Sequence, residues 1–581
     1  MSQTQLPNTD PAASGIAGRR HRAISAVLAK ARAWLPDRAP ASAPRSAQVR
    51  HPLISAPALR QALQDGEEIA VLDVRETGVY VRGHLLLAAS APLWRLELLI
   101  DRLVPRRSTR IVLVDADESL AHEAAHKLLR LGWTQLSVLE GGTSGWTAAG
   151  GQLFSGSNVP SKAFGEVIEH DKRTPWIDAD ELQRQLDAGR KLVVVDSRTP
   201  EEFTQFSLPF AHSLPGAELV YRIHELAPDP DTLVVVNCAG RTRSIVGAQT
   251  LIDAGIDNPV VSLKDGTMAW LLAGRALAHG RQPSLPEPSE EGLQRARSQA
   301  EAVAARAGVQ RLDAAGLARL VGQRASRTLY LFDVRSREEY LAGHLEGWRW
   351  APGGQLVQAT DEYLATRHAR IVLADWDGVR ALTTAAWLAQ LGGHEVYVHS
   401  PDPLAPRVTG PEPLRVLRTQ PSVAALSPIQ LQALQAQGPV QVFEVERRAA
   451  FERRHVPGAR FAVPDRLLEF VTPAEAGGPV VITSPDGVLA SLVAGELAAR
   501  SGRSDVRWLL GGTEAWAASG LPLSQGAQQV LTGDDDHWYS PYAHADLSHR
   551  DAGFRAYLDW ELGLVAQLER EDPIGIRLIP A

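Results

Sequence analysis

A short apolar strand ending in an acidic triplet recurs four times in this chain, and the recurrence limits the fold to a string of similar units. The triplets are Asp73-Val74-Arg75, Asp196-Ser197-Arg198, Asp333-Val334-Arg335 and a degenerate Glu444-Val445-Glu446. A second apolar strand follows each triplet, ending at Asp115, Cys238, Asp375 and Ser484. Asp73 to Asp115, Asp196 to Cys238 and Asp333 to Asp375 are each 42 residues apart, and Glu444 to Ser484 is 40. So regular a spacing implies one supersecondary unit used four times.

Three units close on a third signature: Gly142-Thr143-Ser144-Gly145-Trp146, Gly266-Thr267-Met268-Ala269-Trp270 and Gly512-Thr513-Glu514-Ala515-Trp516. Repeat three lacks it and runs into Val398-His399-Ser400-Pro401. A glycine turn leading into a helix whose Trp packs back on the core accounts for this motif. Helical stretches such as Ser244 to Ala254 and Leu382 to Leu391 separate the strands. Strands alternating with helices predict an α/β fold, each unit a parallel sheet with helices on both faces. The 581 residues exceed a single core, and 44% hydrophobic with 22% charged residues is an ordinary globular balance.

The spacing and the proline-rich stretches divide the chain further. Residues 1–50 are expected to be a disordered tail with a short basic helix, followed by repeat one at 51–155 and repeat two at 174–282. A linker helix within 283–308 leads to repeat three at 309–400, a Pro-rich linker at 401–425 to repeat four at 426–525, and residues 526–581 form a C-terminal extension. Linker lengths suggest that repeat one pairs with two and three with four. The extension is expected to dock over a repeat, beside the active loop, with Tyr557 to Leu568 as an amphipathic helix.

Cysteine usage narrows the chemistry. One cysteine in the chain excludes an intrachain disulfide, a Cys-x-x-Cys redox pair and a four-cysteine metal site. That cysteine, Cys238, falls at the carboxyl end of a strand, where open parallel sheets bind ligands. The loop Cys238-Ala239-Gly240-Arg241-Thr242-Arg243-Ser244 should curl its backbone N–H groups around the sulfur, with Ser244 capping the following helix. A helix N-terminus and two arginines are expected to lower the thiol pKa by roughly one to three units from its ordinary value near 8.5. Arg198 adds positive charge near the pocket, or instead fixes the domain through an ion pair with Glu201 or Glu202. The other repeats put Asp115, Asp375 and Ser484 at the cysteine position, so only repeat two can use a thiol. Those repeats read as structural or docking modules.

The Asp-x-Arg opening, the Cys-x-Gly-Arg-x-Arg-Ser loop and the Gly-Thr-x-x-Trp closing together resemble rhodanese homology domains over nearly all of residues 53–525. The resemblance implies four tandem rhodanese-like units and a sulfurtransferase of the thiosulfate:cyanide type. Cys238 would then accept a sulfane sulfur as a persulfide. Ala239, Gly240, Arg241, Thr242, Arg243 and Ser244, with Arg198, would bind the substrate. Related phosphate-cleaving loops are one residue longer, Cys-x5-Arg against Cys-x4-Arg here, so a phosphatase or arsenate reductase fits less well.

The implied donor is a small sulfur-containing anion. With no second cysteine to resolve a persulfide, the acceptor must be external: cyanide, a small thiol or a protein thiol. No cofactor or metal is expected, since two loop carboxylates or the scattered histidines of 534–549 make a poor ligand set. His84, His212, His344 and His455 read as structural members of one recurring loop. A net charge of −7 gives no reason to expect nucleic acid, and no run of about 18 to 20 apolar residues suggests a membrane span, so a cytoplasmic protein is expected. The competing reading is a sulfur-relay or sensing scaffold that binds partner proteins without turnover.

Overall fold

The computed structural model describes residues 51–580 except 474–476, 545 and 572–573. The expected N-terminal tail and its basic helix lie outside the described residues. The described residues form four sheets, one centred on each repeat. In repeat two the strand order is Trp176–Ile177, Val260–Leu263, Leu233–Asn237, Leu192–Asp196, His212–Ser213, all parallel. Repeats one, three and four keep that order. The chain leaves Leu192–Asp196 toward one edge and Leu233–Asn237 toward the other, so the crevice between their carboxyl ends is a topological switch point.

Both faces of each sheet are buried, which explains central strands whose interiors are continuous apolar runs, as in residues 193–195 and 234–236. Val193, Val195, Val234 and Val236 face one core, while Val194 and Val235 face another. The first of these cores is shared between repeats two and three and takes in the alanine face of the linker helix Glu290–Arg306 through Ala296, Ala300 and Ala304. Repeats one and four share the corresponding core, from Leu72 and Ile111 to Phe443 and Val480. The pairing is therefore two with three and one with four, not the sequential pairing expected from linker lengths. Apolar helix faces decide it: Leu219 and Ile223 of Glu218–Leu226 join Ala385 and Leu388 of Arg380–Leu391 in one core.

Repeat three also reaches repeat one. Its short strand Thr366–Arg367 adds antiparallel to Ile69–Asp73. Beside that junction the buried Glu68 of repeat one accepts the N–H and hydroxyl of Thr328 at 2.8 and 2.6 Å. The C-terminal helix spans Leu547–Leu568, ten residues more than the helical spacing indicated, because Asp546 caps it by accepting the N–H groups of Ser548 and His549.

The recurring motifs acquire definite structural roles. In the Asp-x-Arg triplet of repeat two, Arg198 donates Nε and Nη2 to Asp196 at 2.9 and 2.8 Å and Nη2 to Phe206 O at 2.6 Å. Arg75 and Arg335 make the same clasp to Asp73 and Gly83 O, and to Asp333 and Gly343 O. Repeat four has no arginine there, and burial pushes the Glu444 carboxyl up to about 8, so it stays neutral at physiological pH. His84, His344 and His455 each stack on an aromatic ring one turn earlier, at 3.8 to 3.9 Å. His212 is not their counterpart. That position in repeat two is Ser207, which makes the same antiparallel bridge as the three histidines.

Candidate active site

Cys238 is 2% exposed and follows the strand Leu233–Asn237 directly. Its loop is latched from beneath by the closing motif. Thr267 N–H donates to Cys238 O at 2.9 Å and Met268 N–H to Ala239 O at 3.1 Å. Gly266, at φ +52°, lies so close to Cys238 O that a Cβ there would overlap it. Gly-Thr-x-x-Trp thus shapes the cysteine loop as well as placing a core Trp. Thr143 and Thr513 make the same bond to Asp115 O and Ser484 O.

The helix runs Thr242–Ala254 with Arg241 at its N-cap, two residues earlier than expected. Ser244 lies inside the first turn and donates its hydroxyl back to Arg241 O at 2.8 Å, so it is not the cap. The two loop arginines are held by carboxylates. Arg241 donates to both oxygens of Glu166 and to Asp265, each at 2.8 Å, and also pairs with Glu169. Arg243 forms a fork with Glu202 at 2.6 and 2.8 Å and reaches Gln355 of repeat three at 3.4 Å. Ion pairing at this depth holds Glu202 down at about 2.

These pairings change the electrostatics expected at the sulfur. Burial pushes the Cys238 thiol up, and Glu561 adds to the rise, while Arg243 and hydrogen bonding from Ser244 draw it down. The expected depression of the thiol pKa is therefore overturned. Arg241 is turned toward three carboxylates, and the charge of Arg243 is shared with Glu202. Glu202→Gln should release Arg243 toward the sulfur and lower the thiol pKa by roughly one unit, read from the pH dependence of iodoacetamide alkylation. Gln at this position can still close the capping box with Thr199, so the fold should persist. An unchanged alkylation profile would mean that Arg243 does not govern the thiol.

A cavity of about 760 Å³ opens over the loop. Ala239, Gly240, Arg241, Thr242 and Arg243 line it with Cys238, whereas Ser244 and Arg198 do not. Arg198 is fully buried in its clasp with Asp196, not with Glu201 or Glu202. Other lining residues come from outside repeat two: Lys162 from the preceding helix Val159–Lys172, Gln355 and Glu362 from repeat three, and Tyr542, Tyr557 and Glu561 from the C-terminal extension. The extension is fastened by Tyr542, whose hydroxyl donates to Ala239 O at 3.0 Å and whose ring stacks on Phe206 at 4.6 Å. None of these six carries a motif. The nearest signal was the four-residue spacing of Tyr557 and Glu561, which puts both on one helix face.

The corresponding loops of the other repeats turn backbone N–H groups onto side chains of their own. Asp115 accepts the N–H groups of Glu118, Leu120 and Ala121 at 2.6, 2.7 and 3.3 Å. Asp375 likewise accepts Gly378, Val379 and Ala381 at 3.0, 3.1 and 2.8 Å. Ser484 Oγ accepts Ala490 N–H at 3.3 Å. Among the described residues no group of three or more His, Cys, Asp or Glu is arranged to hold a metal ion, and no helix is long and apolar enough to cross a membrane.

Fold and site together define a class: a tandem α/β protein with one cysteine in a strand-to-helix loop, under a cavity walled in part by neighbouring units. The model of the rhodanese-like domain matches residues 55–149, 178–273, 314–400 and 427–519, and the chain belongs to the rhodanese-like family. It is similar to the crystal structure of thiosulfate sulfurtransferase from Pseudomonas aeruginosa, at 43% identity over 91% of this chain and 100% of that one, with a TM-score of 0.87. A sulfurtransferase of Allochromatium vinosum is 33% identical over 98 residues, 17% of this chain and 89% of the relative. The HTH-type transcriptional regulator Rv0324 of Mycobacterium tuberculosis is 34% identical over 100 residues, 17% of this chain and 43% of that protein.

Proposed function

We propose that this protein is a sulfurtransferase that carries sulfane sulfur on Cys238, taking it from thiosulfate or a similar small anion and passing it to cyanide or a thiol. The observation that carries the reading is the placement of the chain's one cysteine in a latched strand-to-helix loop at the sheet's switch point. Likeness to a thiosulfate sulfurtransferase over nearly the whole chain supports the choice of donor. In the first step the Cys238 thiolate attacks the outer sulfur of thiosulfate. The sulfur–sulfur bond of the donor breaks, and sulfite leaves with the electron pair. In the second step the acceptor attacks the outer sulfur of the persulfide, and Cys238 is released as thiolate.

The test is intact mass after exposure to thiosulfate, together with sulfite release and thiosulfate:cyanide turnover. One added sulfur atom per chain, matched by one sulfite, is expected. No added sulfur from thiosulfate, mercaptopyruvate or glutathione persulfide would sink the enzyme reading and favour a scaffold that binds partners without turnover.

A further inference from the structure

The C-terminal helix brings a hydrogen-bonded tyrosine–glutamate pair to the cysteine loop. Glu561 is 1% exposed. Its Oε1 accepts the Tyr557 hydroxyl at 3.0 Å and the Thr242 hydroxyl at 3.2 Å, and its Oε2 is buried with no hydrogen-bond partner. The pair is seated directly on the loop, since a Cβ on Gly240 would lie 3.3 Å from both Glu561 Oε2 and Tyr557 Cε1. Glu561, Tyr557 and Cys238 line one cavity. Burying a carboxylate with one oxygen unsatisfied is costly, and two apolar side chains would seal this spot better.

We propose that the acceptor this site is built for is an organic thiol bearing a carboxylate, whose proton passes through the Tyr557 hydroxyl to Glu561. The inference rests on the persulfide reading of Cys238. Thiosulfate and sulfite react as anions and need no base, whereas a thiol arrives protonated, with an ordinary pKa of about 8.5. As the thiol gives its proton to Tyr557 Oη, Tyr557 hands its own to Glu561 Oε1. The resulting thiolate attacks the outer sulfur of the Cys238 persulfide, the sulfur–sulfur bond to Cys238 breaks, and Cys238 keeps the electron pair. The products are an organic persulfide, the Cys238 thiolate and protonated Glu561, which then releases its proton to solvent.

The surroundings suit that role. Burial raises Glu561 to about 7, matched to base catalysis at neutral pH. Lys162 and Glu166 face it from the helix Val159–Lys172, the first lowering and the second raising its pKa, while Tyr557 on its own helix and Thr242 on the cysteine helix lower it. Burial pushes the Tyr557 hydroxyl well up, charge on Glu561 and on Cys238 adds to the rise, and Arg243 pulls it down. Lys162 supplies the carboxylate site. Its ammonium lies 5.8, 5.4 and 4.9 Å from the rings of Trp538, Tyr557 and Trp560, with no carboxylate within ion-pair range among the described residues. A cavity of about 760 Å³ far exceeds what cyanide needs and admits a tripeptide thiol.

The test uses the full chain, loaded with sulfur from thiosulfate and verified by intact mass, then discharged separately to glutathione and to sulfite, which attacks as an anion and regenerates thiosulfate. In Glu561→Gln the ratio of glutathione to sulfite discharge rates is expected to fall about a hundredfold. The wild-type glutathione rate should rise with pH through a limb near 7 that the glutamine variant lacks and Glu561→Asp restores in part. Lys162→Met should raise the KM for glutathione more than that for the uncharged 2-mercaptoethanol. If the glutamine variant does not fold, Tyr557→Phe should show the same fall in the ratio. An unchanged ratio with the pH limb intact overturns the relay, and equal KM changes for the two thiols overturn the carboxylate site. A wild-type chain that takes up no sulfur overturns the Cys238 reading, and the relay with it.

Discussion

Cys238→Ser is expected to lower thiosulfate:cyanide turnover by at least about a thousandfold and to abolish sulfur uptake measured by intact mass. Serine is nearly isosteric, and the loop is held by backbone bonds from Thr267 and Met268, so the fold should survive. Its hydroxyl cannot form a persulfide and is far less ionised than a thiol at neutral pH. The loss should be complete rather than fractional because the other three repeats offer no reserve. Asp115 and Asp375 already fill their own loops with a carboxylate bound by three backbone N–H groups each, leaving no room for an anionic donor. Turnover above about a tenth of wild type in the serine variant would mean that sulfur moves elsewhere than on Cys238.

The repeat architecture was legible in the sequence because strand spacing and the closing motif are set by local backbone geometry. Partners were not. The Asp-x-Arg arginines could be seen to matter, yet their role as clasps depends on carbonyls eight residues away, Gly83, Phe206 and Gly343. Arg241 looked like an anion ligand because Glu166 and Glu169, which hold it, come from a helix between the repeats that carries no motif. The pairing of repeat two with three was hidden for a similar reason. It depends on which apolar helix faces meet, and several candidates look alike in sequence. The cavity wall from repeat three follows from that pairing, so Gln355 and Glu362 could not be placed before it was known, whereas the helix bearing Tyr557 and Glu561 does dock beside the cysteine loop as expected.

The same pairing gives repeat three a role that can be measured. Arg380 stands five residues after Asp375, as Arg243 stands five after Cys238, and its fork with Glu339 at 2.6 and 2.7 Å repeats the Arg243–Glu202 fork. Here the arginine is 1% exposed, also bonds Asp377 at 2.9 Å, and crosses to Glu218 of repeat two at 2.8 Å. The arginine that matches Arg243 is here a pin between the two units. Arg380→Met would leave three carboxylates around an apolar side chain, and stripping one partner from a buried ion network costs about 3–5 kcal/mol. For a unit of this size that corresponds to roughly 6–20 °C in the thermal midpoint of the repeat two and three lobe, read by calorimetry. Arg380 holds Glu339 down at about 2, so that part of the stabilisation is fully present above the ordinary carboxylate pKa of about 4.5 and is lost as pH falls toward 2. The gap between wild type and variant should therefore be widest near neutral pH and narrow in acid. Sulfur transfer should weaken as well, because Gln355 of repeat three touches Arg243 and its neighbours wall the cavity over Cys238. A neutral-pH midpoint within about 2 °C of wild type would show that apolar burial alone holds the two repeats together.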